Sequence, residues 1–64
     1  MDMRKKKEEN VGKRVQVIDP YSIRYQEYGT ILEYRKGTNN YFVVLEDECE
    51  TLEIFNAGQV KVLE

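Results

Sequence analysis

A chain of 64 residues with a net charge of −2, one Cys, one Pro, no Trp and no His makes at most one small domain, and at this size folding buries only about 60% of the unfolded surface. Without His it lacks the side chain that most readily moves protons near neutral pH, and one Cys builds neither a disulfide framework nor a four-ligand zinc site. These counts exclude a core plus a deep substrate pocket and point to binding: no enzyme, no cofactor and no metal are expected.

Residues 1–10 carry Arg4, Lys5, Lys6 and Lys7 against Asp2, Glu8 and Glu9, with no apolar periodicity. They read as a flexible charged arm, at most one frayed helical turn, and as a solubilising tail rather than an anion-binding one. No apolar stretch follows the basic cluster, so no secretory signal is read here. The longest apolar run, residues 41–45, is far short of the ~20 residues that span a bilayer. A cytoplasmic location is expected, with any membrane association made through a partner, and a lone Cys suits a reducing compartment.

The globular part is expected over residues 11–64. Residues 11–19 alternate, with Val15 and Val17 on one face and Arg14 and Gln16 on the other, which predicts a strand ended by Asp19 and Pro20. Residues 21–27 form a polar, aromatic-rich loop. Residues 28–34 predict a second strand, with Gly29 and Ile31 on one face and Tyr28, Thr30, Leu32 and Tyr34 on the other. A glycine inside a strand marks a bulge or a close backbone approach. Lys36, Gly37, Thr38, Asn39 and Asn40 make a turn, because Gly and Asn both accept positive φ. Residues 41–45 are continuously apolar and predict a central strand covered on both faces. An acidic turn over 46–50, a strand over 51–56, a short link at 56–59 suited to one 3₁₀ turn, and a strand over 60–63 complete the chain.

Five short strands without a helical period predict an all-β, five-stranded barrel. The expected inward set is Val15, Val17, Gly29, Ile31, Tyr41 or Phe42, Val43, Leu45, Phe55, Ala57 and Val60. Closing the sheet lessens the exposed-edge problem of so small a β protein.

The order of these features resembles the SH3-like small barrels over residues 11–64. It comprises Val11, Gly12, Val15 and Val17, a long loop, Gly29 and Ile31, the Val-rich strand running into Glu46 and Asp47, then Phe55 before Gln59 and Val60. Within that group it is similar to the small SH3-like accessory subunits of cyanobacterial and plastid photosynthetic complexes. These are the peripheral stromal subunit of photosystem I, the small cytochrome b₆f subunit and the ferredoxin-docking subunit of the NDH complex. The Gly-x-Ile strand is also similar to the KOW-type barrels of translation and transcription. The first resemblance implies a non-catalytic accessory subunit that docks on a larger, photosynthetic electron-transport assembly; the second implies an RNA- or ribosome-associated protein. The exposed basic residues with which the first group docks ferredoxin are sparse in this chain.

Two surfaces are candidates for the partner. Tyr21, Tyr25 and Tyr28, with Arg24 among them, lie in or beside the long loop, where tyrosines supply contact area at low entropic cost and Arg supplies forked donors. Glu46, Asp47, Glu48, Glu50 and Glu53 fall within eight residues with no base between them, a concentration that steers toward a basic protein surface or simply keeps a hairpin tip solvated. For RNA the candidates are Lys13, Arg14, Arg35 and Lys36, with Tyr34 and Tyr41 flanking the turn for stacking. The negative charge of the domain opposes that reading. Cys49 stands among acids, and no redox or catalytic role is expected of it.

Overall fold

The computed structural model describes residues 7–63. It is all-β: β1 (Arg14–Val17), β2 (Tyr28–Arg35), β3 (Asn40–Leu45), β4 (Leu52–Asn56) and β5 (Val60–Val62), with a 3₁₀ turn at Ala57–Gln59 between the last two. The strands form one antiparallel sheet in the order β4-β3-β2-β1-β5. Consecutive strands pair as a meander, and β5 then returns beside β1.

Alternation explains most of the core. Val15, Val17, Ile31, Tyr41, Val43, Leu45, Phe55 and Val60 are buried, with Ala57 and Val62 packed against them. Of the expected pair, Tyr41 points inward and Phe42 outward. Burial of many small β-branched side chains is the main stabilising term available to so short a chain.

Two expectations change. β3 is not covered on both faces: Tyr41, Val43 and Leu45 are buried while Phe42 and Val44 are only half-buried. Its outer face is apolar in sequence but has no second layer over it among the described residues. Tyr34, expected outward, is in the core at 7% exposure. The cause is a bulge: Ile31 pairs with Val43 and Glu33 with Phe42, so Leu32 is the extra, unpaired residue. One extra residue inverts the in–out alternation beyond it, which leaves Leu32 and Glu33 both turned to solvent and brings Tyr34 in against Tyr41, ring centroids 5.4 Å apart.

The ladder is open. β4 and β5 are its two edges, and no strand pairing joins them. Closure is made instead by the 3₁₀ turn: the Asn56 side chain accepts from the Gly58 N–H, and the Asn56 N–H donates to Gln59 Oε1. Gln59 Nε2 also donates to Asp19 Oδ2 at 2.8 Å, tying this turn to the start of the long loop.

Residues 7–13 cover the end of the sheet near Asn39. Backbone bonds from Asn10 to Lys7, Val11 to Glu8 and Lys13 to Asn10 make successive turns, and the Gly12 N–H donates to the Ile31 carbonyl. Asn10 Nδ2 donates to the Tyr41 hydroxyl, and both Tyr34 Oη and Lys7 Nζ donate to Asn39 Oδ1. The polar tips of two buried tyrosines are thereby satisfied. Asn39 holds φ 56°, the left-handed conformation expected within this turn. Arg4, Lys5 and Lys6 lie outside the described residues.

Candidate functional site: the clamped loop between beta1 and beta2

Residues 18–27 leave β1 and return to β2 as a tied loop. At its base the Val17 N–H donates to the Glu27 carbonyl and the Gln26 N–H to the Val17 carbonyl, with Gln26 at φ 72° making the reversal. Within it, Ser22 donates to Asp19, Tyr25 to Ser22 and Glu27 to Arg24 through backbone groups. The Asp19 carboxylate accepts from the Tyr21 N–H and from Gln59, and these bonds hold its pKa below the ordinary 3.8, Gln59 contributing most.

Arg24 clamps the loop to the rest of the sheet. Its guanidinium lies 3.5 Å from Glu27, 3.6 Å from Asp47 and 3.6 Å from Glu53. One cation on the loop therefore faces three carboxylates, two of them on β4 and the hairpin before it. Its Nε is buried without a hydrogen-bond partner, its nearest carboxylate oxygen being that of Glu53. Asp47 also caps its own hairpin by accepting from the Thr51 N–H, and its pKa is lowered mainly by Thr51, with Arg24 a smaller cause.

The candidate residues from sequence thus divide. Tyr21 stands at the loop tip at 95% exposure, and Tyr25 is exposed beside it. Arg24, expected among the outward contact residues, is spent on internal ion pairs. Tyr28 is on β2, outside the loop proper, and carries the Arg14 guanidinium 4.3 Å above its ring. That same Arg14 makes a two-pronged pair with Glu46, both bonds 2.8 Å, which lowers the Glu46 pKa and raises that of Arg14. Of the acidic run, Glu46, Asp47 and Glu53 are matched by arginines. Glu48 and Glu50 are exposed and make no ion pair among the described residues.

The four bases considered for RNA do not gather. Arg14 pairs opposite Thr30, whereas Arg35 is five residues further along β2, about 15 Å at strand rise. Arg35 pairs with Glu33 and lies over the Phe42 ring, and Lys36 pairs with Glu8. Lys13 makes no ion pair among the described residues. Tyr34 and Tyr41, the stacking candidates, are both buried.

Ile23 was not among the sequence candidates and belongs with them. It is 90% exposed, next to Tyr21 in the same loop. Its signal in the sequence is an aliphatic residue two positions from each of two tyrosines, in a stretch otherwise polar. Ile23 is an apolar side chain that buries nothing of its own fold, on a loop tied by its own hydrogen bonds and a central arginine.

The fold and this surface define a small all-β domain with a rigid, apolar loop tip. Comparison with protein-family models, with curated proteins and with solved structures returned no match for this chain.

Proposed function

We propose that the chain is a non-catalytic docking module, an accessory subunit that binds a larger protein assembly through the tip of the 18–27 loop and stabilises or regulates it. The observation that carries this reading is the pairing of two nearly fully exposed apolar side chains, Tyr21 and Ile23, with a loop already held by Arg24, Asp19 and Gln59. A preorganised apolar tip loses little conformational entropy on docking, so its buried area converts to affinity efficiently. Tyr25 extends the contact, and Glu48 and Glu50 supply negative charge that favours a basic rim on the partner. Photosynthetic electron-transport complexes, whose small accessory subunits the sequence resembles, are the first assemblies to present to it.

The test is a binding measurement against purified photosynthetic complexes and against native extract, with the parent chain and a Tyr21→Ser/Ile23→Ser double variant. The expected result is a defined larger complex with the parent that the variant loses, while its circular dichroism stays that of the parent. A complex that forms equally with both proteins, or none with either, rules out this docking surface.

A further inference from the structure

The two edges of the open sheet are not equivalent. β5 is three residues long and carries the exposed Lys61, both of which discourage strand addition. β4 is five residues, Leu52, Glu53, Ile54, Phe55 and Asn56, with no Lys, no Pro and no bulge.

Which backbone groups β4 leaves free follows from its ladder. The Leu45 N–H donates to the Thr51 carbonyl and the Ala57 N–H to the Asn39 carbonyl. In an antiparallel pair the hydrogen-bonded positions alternate, so Thr51, Glu53, Phe55 and Ala57 are the residues of this segment that face β3. Leu52, Ile54 and Asn56 turn their N–H and C=O groups the other way. Asn56 confirms the assignment, because its N–H goes to the Gln59 side chain. Leu52 and Ile54 are left with two donors and two acceptors aimed off the edge.

The side chains make that edge adhesive. Leu52 and Ile54 are each 53% exposed on the outer face. They continue the row of half-buried Val44 and Phe42, with which they pair directly. Ile54 and Phe42 also line a shallow groove of about 340 Å³. The one charge of the strand, Glu53, points to the opposite face and is drawn to Arg24.

We infer that the β4 edge pairs with the β4 edge of a second copy of this chain, antiparallel about a two-fold axis at Glu53. The choice of a second copy rests on self-complementarity. A single register joins all the free groups: Leu52 opposite Ile54 of the second copy, and Ile54 opposite its Leu52. This register uses both free residues on each side and leaves the Asn56–Gln59 bond intact. It sets aliphatic side chain against aliphatic side chain on the outer face and, on the inner face, one Glu53 against the other, a like-charge pair that opposes the association and is offset by the Arg24 beside each carboxylate; it joins two five-stranded sheets into one of ten strands. The interface is isologous and closes at two copies. It is independent of the loop tip, which stays free for another partner.

The register places the two Glu53 residues opposite each other as a non-hydrogen-bonded pair, with Cα atoms about 4.5 Å apart. That lies within the span of a disulfide, about 4.4–6.8 Å. Sedimentation of the full chain over a wide concentration range is expected to show a reversible shift toward twice the chain mass. Ile54→Lys, at an exposed position, is expected to weaken the association at least tenfold with unchanged circular dichroism. Tyr21→Ser/Ile23→Ser is expected to leave it unchanged. In a Cys49→Ser background, Glu53→Cys is expected to oxidise to a covalent dimer faster than Leu52→Cys or Ile54→Cys. A chain that stays monomeric at every concentration overturns the inference, as does a dimer lost with the loop-tip variant. Cross-linking no faster at 53 than at 52 or 54 overturns the register.

Discussion

Gly29 offers the sharpest test of how the core is built. It sits on the inward face of β2, opposite Val15 of β1 and Leu45 of β3. A Cβ added there stands 2.5 Å from Val43 Cγ1, 2.7 Å from the Val44 carbonyl oxygen and 3.3 Å from Leu45 Cα. Comfortable heavy-atom contacts are about 3.5–4.0 Å, so the two closest are about 1 Å too short. Val43 is fully buried and the Val44 oxygen belongs to the β3 backbone, so relief requires a strained rotamer and a wider β2–β3 spacing. Overpacking of this kind costs about 1–3 kcal/mol, and the backbone contact puts Gly29→Ala near the upper end. The loss of unfolded-state freedom on replacing Gly returns only about 0.4–1 kcal/mol.

A domain of this length has a total stability of roughly 3–10 kcal/mol. A net loss of about 2 kcal/mol lowers the melting temperature by roughly 8–16 °C. Urea and thermal unfolding followed by circular dichroism measure it directly. Adding Val43→Ala to Gly29→Ala removes the nearest clashing atom but opens a cavity and leaves the Val44 oxygen, so it does not restore parental stability. A Gly29→Ala protein within about 0.5 kcal/mol of the parent would refute the packing described for this strand pair.

Three further outcomes follow from the same geometry. Deleting Leu32 removes the unpaired bulge residue and leaves Ile31, Glu33 and Tyr34 in uninterrupted register with Val43, Phe42 and Tyr41; the shortened chain is expected to keep its fold by circular dichroism, whereas deleting Thr30 inverts the faces and unfolds it. Asn39→Ala loses the acceptor for Tyr34 and Lys7 and puts at φ 56° a residue that tolerates the left-handed region less well than Asn, for an expected loss of about 1–2 kcal/mol in urea unfolding, and Asn39→Gly, which accepts that backbone conformation freely, is expected to lose less. Asp19, Glu46 and Asp47 have lowered pKa values in the folded chain, so their stabilisation is complete above the ordinary carboxylate range and is lost as pH falls through and below it; unfolding free energy is expected to drop below about pH 4, with a shallower drop in Asp47→Asn.

The strands were legible because their pattern is local. Alternation at Val15 and Val17, the Gly29–Ile31 face, and the turn residues Gly37 and Asn39 each follow from neighbours one or two positions away. The bulge was not legible. Nothing in residues 31–34 requires an extra residue; it follows from pairing with β3, where Tyr41 offers its ring and Asn39 its side-chain oxygen to an inward Tyr34. The inward Tyr34 keeps its hydroxyl satisfied because Asn39, across the turn, accepts from it. The half-open outer face of β3 was hidden for a related reason. A run of apolar residues at 41–45 states what can be buried, and only the number of layers in the fold decides what is.

Charge shows the same division between local pattern and distant pairing, and it changes where a partner is expected to bind. In sequence, residues 46–53 form the one concentrated acidic stretch in the chain, and Arg24 is one more exposed base among tyrosines. In the fold, Arg14 reaches Glu46 across 32 positions, and Arg24 draws in Asp47 and Glu53. Much of the acidic run is therefore consumed in fixing the long loop and the hairpin to each other. Arg24, expected to touch a partner, instead holds the loop that carries Tyr21 and Ile23, the residues proposed to make that contact. Two exposed carboxylates, Glu48 and Glu50, remain for the proposed steering, since long-range attraction needs only net charge near the contact. In the proposed docking, affinity would fall to the apolar tip, because Tyr21 and Ile23 are the large side chains that the core leaves most uncovered. The charges that make the proposed docking surface conspicuous in the sequence mainly hold it in shape.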